Sequence, residues 1–208
     1  MTPPDPTLLA FTGIVALLTV LPGADMALVA KVTLLEGKRA AFFTSLGITA
    51  GLPVHATASA LGLSVILATS AEAFMAVKVA GAVYLAYLGF RTLRDSWRPA
   101  ASAALTVRRT RGLWGAFVQG WLTNVLNPKV ALFYLTFLPQ FISPGDSVLA
   151  KSLLLAGIHA ALGLAWLPSY AYAIDRLGAL VRGARRWLER LSGAALIALG
   201  LRLAFERR

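Results

Sequence analysis

The chain has 208 residues, of which 58% are hydrophobic and 14% charged, and its mean hydropathy is +0.71. A soluble domain carries about 25% charged and about 45–50% apolar residues, so neither a hydrated globule nor a disordered chain fits. The absence of cysteine excludes a disulfide scaffold, a thiol nucleophile and cysteine-ligated zinc, and two histidines argue against a histidine-rich metal site. A net charge of +11 could serve a nucleic acid. Its distribution argues otherwise. Fourteen of the twenty Lys and Arg residues fall in three short regions separated by long apolar stretches: Lys31–Arg39, Arg91–Arg111 and Arg176–Arg190. That is how a multi-pass membrane protein carries positive charge.

A hydrocarbon core takes about 20 apolar residues per helix, and six candidate spans follow in chain order. Pro6–Ala30 contains one charge, Asp25; Ala40–Ala71 contains none; Ala73–Phe90 contains Lys78 near its start. Gly112–Gly145 contains Lys129 and is long enough for a helix plus a re-entrant or loop segment. Ser152–Ile174 is uncharged, and the short Leu191–Phe205 contains Arg202, whose stem can snorkel. The first span lacks the basic start of a secretory signal and is expected to be retained. Loops 1, 3 and 5 hold the basic regions while loops 2 and 4 are nearly bare. The positive-inside rule therefore puts the odd loops in the cytoplasm and both termini outside.

Sliding the chain by about 105 residues puts Leu8 on Leu113 and Pro22–Gly23 on Asn127–Pro128, and brings His55 within one position of His159. A slide of about 112 puts Gly81–Ala82 on Gly193–Ala194. The order of these matches predicts two repeats, about 6–91 and 112–205, joined by a linker at about 92–111. Three spans per half make the repeats inverted, an architecture common in secondary transporters. The expected fold is thus a single all-α transmembrane domain over 1–208, with six helices, two inverted repeats and breaks in spans 1 and 4.

Those breaks carry the candidate chemistry. Pro22 removes a backbone donor and clashes with the preceding turn, so the helix should break at Pro22–Gly23. Asp25 follows. A carboxylate within a span costs about 2.5–3.5 kcal/mol on insertion scales and is a functional candidate by default; alternatively, it caps the second half-helix. In the matching position stand Asn124, Asn127, Pro128 and Lys129. Broken helices expose backbone groups that transporters use to hold charged substrates, and the two amides suit an ammonium and a carboxylate alike. They could equally cross-link helices, and Lys129 could pair with Asp25 or snorkel. His55 and His159, one per half, suit proton transfer or interhelical hydrogen bonds. Ser59, one turn after His55, lacks the third group that a hydrolase needs. Gly47 and Gly51 allow close helix packing within one chain, or between two copies in a homodimer.

Pro22-Gly23-Ala24-Asp25, Glu36-Gly37-Lys38-Arg39, the segment LGITAGLPVH ending at His55, KVAGAVYLAYLGFR from Lys78 to Arg91, and above all NVLNPKVALFYLTFLPQ from Asn124 to Gln140 resemble the LysE/RhtB family of amino-acid exporters. The likeness covers about Leu8 to Phe205. Family members usually have a second proline where this chain has Ala24, which implies a milder break. The resemblance implies six helices in the bacterial inner membrane and proton-driven export of amino acids or close derivatives by alternating access. On that reading Asp25 is the proton-coupled or substrate-ammonium site, and Asn124, Asn127 and the backbone at Pro22–Gly23 and Pro128 line the pocket. Substrate, protons and lipid are the expected partners, with no cofactor, metal or nucleic acid and no enzymatic activity. A divalent-cation transporter is the alternative. It needs several hard oxygen ligands, where this chain offers one membrane carboxylate and an amide at the matching position.

Overall fold

The computed structural model describes residues 6–69, 112–143 and 145–205, with isolated positions between 72 and 97. Every regular element among them is helical. Helix α1 spans Pro6–Val20 and α2 spans Ala24–Glu36, meeting at a 49° bend. The bend falls at Leu21-Pro22-Gly23, where proline withdraws a donor and Gly23 takes an extended N-cap conformation. Gly37 then reverses the chain at φ +85°, a left-handed conformation that favours glycine. Helix α3 returns as Lys38–Thr69.

The third expected span, Ala73–Phe90, lies mostly outside the described residues, as does the linker at 92–111. The positions of that span that are described are helical, and Met75, Val79, Val83, Tyr87 and Phe90 among them are exposed. The fourth span is a helix with broken continuation. Helix α4 covers Gly112–Val125, α5 covers Pro128–Thr136, and a 3₁₀ turn covers Leu138–Phe141.

Helix α6 corrects one expectation. It runs unbroken from Val148 to Phe205, 58 residues, so the basic segment between the fifth and sixth stretches is helix and not a loop. The reason is local: Asp175–Arg190 holds no proline and is rich in Leu, Ala and Arg, all good helix formers. Charge marks contact with water or headgroups and does not itself turn a chain. At about 1.5 Å per residue the helix is about 87 Å long, against about 30 Å of hydrocarbon. Of its length, Val148–Arg176 is the part apolar and long enough to cross a membrane.

Helices α3 and α4 interlock through glycines. A Cβ on Gly47 would fall on the Phe117 carbonyl, and one on Gly120 would fall on the Thr44 carbonyl. Small residues are what allow such backbone contact, and the Gly47/Gly51 spacing is used within the chain. Two apolar clusters form the interior. Phe11, Val15, Leu52, Phe133, Tyr134 and Leu155 belong to the first. Met26, Val29, Val32, Ile48, Ala116 and Leu167 belong to the second.

Candidate functional site

Both proline breaks leave a carbonyl without its helical donor, because the residue four positions on has no N–H. At the first break that carbonyl is Leu18's, facing Pro22; at the second it is Asn124's, facing Pro128. Side chains from other helices meet each of them. Lys129 Nζ donates to Leu18 O at 3.2 Å and to Leu21 O at 3.3 Å. His55 Nε2 lies 3.0 Å from Asn124 O, which Asn127 N also reaches at 2.9 Å. A carbonyl only accepts, so His55 donates from Nε2. The two breaks are thus tied together by the groups that they strand.

Asp25 sits in the first turn of α2. Its Oδ2 accepts from Asn124 Nδ2 at 3.0 Å, while its Oδ1 and Asn124 Oδ1 are sealed from solvent with no hydrogen-bond partner. Two buried acceptors without donors are costly, which marks a place where a donor belongs. Asn124 is held by Gly51: a Cβ there would come within 2.6 Å of Asn124 Oδ1. Asn127 is a structural cap, accepting from Lys129 N at 3.0 Å at the start of α5. Lys129 is neither snorkelled nor ion-paired with Asp25; its ammonium gives two hydrogen bonds to the end of α1, beside Gly23.

These groups line a cavity of about 50 Å³, which Leu18, Leu21, Met26, Ile48, Leu52, Val130 and Leu167 close with apolar walls. It lies where the two apolar clusters meet, since its walls come from both. Of the two histidines His159 lines it and His55 stands behind Asn124. Prolines surround it. Leu21, Leu52, Asn127 and Leu167 each line it, and each immediately precedes a proline, at Pro22, Pro53, Pro128 and Pro168.

Tyr134 is a participant that sequence reading missed. Its hydroxyl lies 3.2 Å from His159 Nδ1, the two rings stack at 5.9 Å, and its carbonyl accepts from Ser59 Oγ at 2.8 Å. Ser59 therefore ties α3 to α5 and has no contact with His55 that would make it a nucleophile. The signal for Tyr134 was a lone phenol in an apolar run, which a buried helix keeps only with a partner.

The profile of the LysE type translocator family matches residues 16–207. The chain is 33% identical over 206 residues to the uncharacterized membrane protein YrhP of Bacillus subtilis (strain 168), covering 94% of this chain and 97% of that one. It is 29% identical to the homoserine/homoserine lactone efflux protein of Salmonella typhimurium, covering 92% of each chain. It is 28% identical to the threonine efflux protein of Escherichia coli (strain K12), covering 95% of this chain and 96% of that one. No solved structure matches. The chain belongs to the LysE type translocator family.

Proposed function

We propose that the chain is a secondary-active exporter of small amino acids with neutral side chains, coupled to protons and working by alternating access in the bacterial inner membrane. The observation that carries this reading is the pair of partnerless acceptors, Asp25 Oδ1 and Asn124 Oδ1, beside a cavity between two broken helices. A substrate ammonium supplies the donors that they lack. Helix α2 has no side-chain cap at Gly23, so its first free N–H groups suit the substrate carboxylate. Asp25 and Lys129 are the fixed charges of the lining, which fits a zwitterion and offers no partner to a further charge on its side chain. The relatives named for homoserine and threonine efflux agree in substrate size and charge.

A cavity of this volume takes a few water-sized groups. An amino acid requires the walls to part. Pro53 and Pro168 interrupt the bonding inside α3 and α6, and Pro22 and Pro128 stand at the α1/α2 and α4/α5 breaks, so the chain can bend at four places around the cavity. Such an arrangement supports rocking around a central site, as inverted-repeat transporters do. The ring of Trp97 stacks under Arg190 at 4.4 Å, and Lys38 pairs with Asp175 at 3.0 Å. The first and second basic regions therefore each meet the basic stretch of α6, which supports one cytoplasmic side for all three.

The test is export from cells preloaded with a panel of amino acids. Faster loss of threonine- and homoserine-sized neutral amino acids, with no change for lysine, arginine or glutamate, is expected. Accelerated loss of the charged amino acids alone, or of none in the panel, contradicts the reading.

A further inference from the structure

We propose that Lys129 is a tethered substitute for the substrate's ammonium: it moves onto Asp25 when the site is empty and returns to the carbonyls of Leu18 and Leu21 when substrate binds. The proposal rests on the reading of Asp25 as the ammonium site. In the structure the lysine is at the carbonyl station, with two of its three N–H donors committed there. The third is free to meet an acceptor, and Asp25 Oδ1, in the lining of the same cavity, has no donor.

The two stations are close in the chain. Leu18, Leu21 and Asp25 belong to one bent segment, and between them stands Gly23. A side chain at Gly23 would begin 3.6 Å from Lys129 Nζ and 3.8 Å from Cδ, so the lysine stem lies over the one residue with nothing to obstruct it. The base of the stem is fixed, because Asn127 caps the Lys129 amide and Pro128 opens α5. An unbranched stem on a fixed base can swing its tip between stations by rotamer changes alone. Asn124, Asn127 and His55 also face Asp25, and His159 lies in the field of Lys129.

The consequence concerns the return step. An exporter that has released its substrate must reorient without it, and a buried carboxylate that has lost its ammonium partner is costly to carry through that change. Lys129 supplies the partner. During exchange of one substrate for another, Asp25 always has an ammonium and the lysine is less needed. Net efflux should therefore depend on Lys129 more than exchange does.

The experiment uses purified full-length chain in liposomes with labelled L-threonine and L-homoserine, measuring exchange and net efflux side by side. Lys129→Met is expected to lower net efflux about tenfold more than exchange, and Lys129→Arg, which keeps a cation, to restore most of that difference. If the Met variant does not accumulate, Lys129→Gln retains a donor for the Leu18 carbonyl and carries the same expectation. Equal loss of efflux and exchange in the Lys129 variants, or no loss of either, overturns the proposal while leaving Asp25 as the ammonium site. Exchange that survives Asp25→Asn, or a wild-type protein that exchanges neither probe, overturns the reading beneath it.

Discussion

Adding one methyl group at Gly120 should do more damage than removing most side chains. A Cβ there would land on the carbonyl of Thr44, with Thr44 C at 3.0 Å and Ile48 N at 3.1 Å. Atoms of carbon size meet comfortably at about 3.5–4.0 Å, and here both sides are helix backbone, which cannot rotate away. Helices α3 and α4 must separate by roughly 1 Å. Overpacking of this kind costs about 1–3 kcal/mol, and alanine returns about 1 kcal/mol through its helix propensity; with backbone on both sides the net loss should be about 2 kcal/mol. The separation also acts on the site. His55 on α3 meets Asn124 O on α4 at 3.0 Å, and an added ångström takes that bond out of range. Gly62 in α3 is the control, because nothing lies within 4 Å of a Cβ placed there. Gly62→Ala should be neutral or stabilising by up to about 1 kcal/mol. The assay is the fraction of detergent-solubilised protein that stays monodisperse after heating, with export measured in parallel. A Gly120→Ala protein that matches Gly62→Ala in both would refute the interlock and its link to the site.

Pro22→Ala offers Leu18 O a backbone donor in competition with Lys129 Nζ, so export should fall while the amount of protein in the membrane holds or rises; unchanged export would separate the break from function. Ser59→Ala removes the bond to Tyr134 O and should cost about 1 kcal/mol in heat stability, with export retained; loss of export at normal abundance would reinstate a chemical role for the serine. Lys38→Gln breaks an exposed pair with Asp175 and should change stability by less than about 1 kcal/mol. With cysteine at Ser143 or Ser102, an impermeant thiol reagent on intact cells should label position 143 and spare 102. The opposite pattern would reverse the orientation.

Much of this fold is legible because a membrane reduces the choices. Apolar runs must be helices, and proline inside them must break or strain them, so both breaks and their residues can be read directly. What could not be read was pairing in space. Nothing in the sequence ties Lys129 to the carbonyls of Leu18 and Leu21; the alternatives of Asp25 or the headgroups follow from charge alone. The orphaned carbonyl is implicit in Pro22 and could have been counted, but which cation answers it depends on how α5 meets α1. Tyr134 stayed hidden for the same reason, since its partner His159 lies on another helix. The basic segment after Ile174 misled because charge periodicity reports on surroundings, whereas helix continuation depends on backbone preference. His55 and His159 looked equivalent by repeat position, and only the folded chain separates the one that lines the cavity from the one that braces Asn124.

Asp25 is the residue on which the proposed export turns. Asp25→Asn keeps the size and the bond geometry of the side chain but removes its charge, leaving no anion in the cavity lining. The measurement is export of labelled threonine or homoserine from preloaded vesicles, with and without a pH gradient, normalised to protein in the membrane. Normal insertion and abundance are expected, with gradient-driven export and exchange both abolished. Gradient-dependent export at the wild-type rate by the Asn variant would contradict that role, leaving Asp25 as a helix cap and moving the search to His55 and His159.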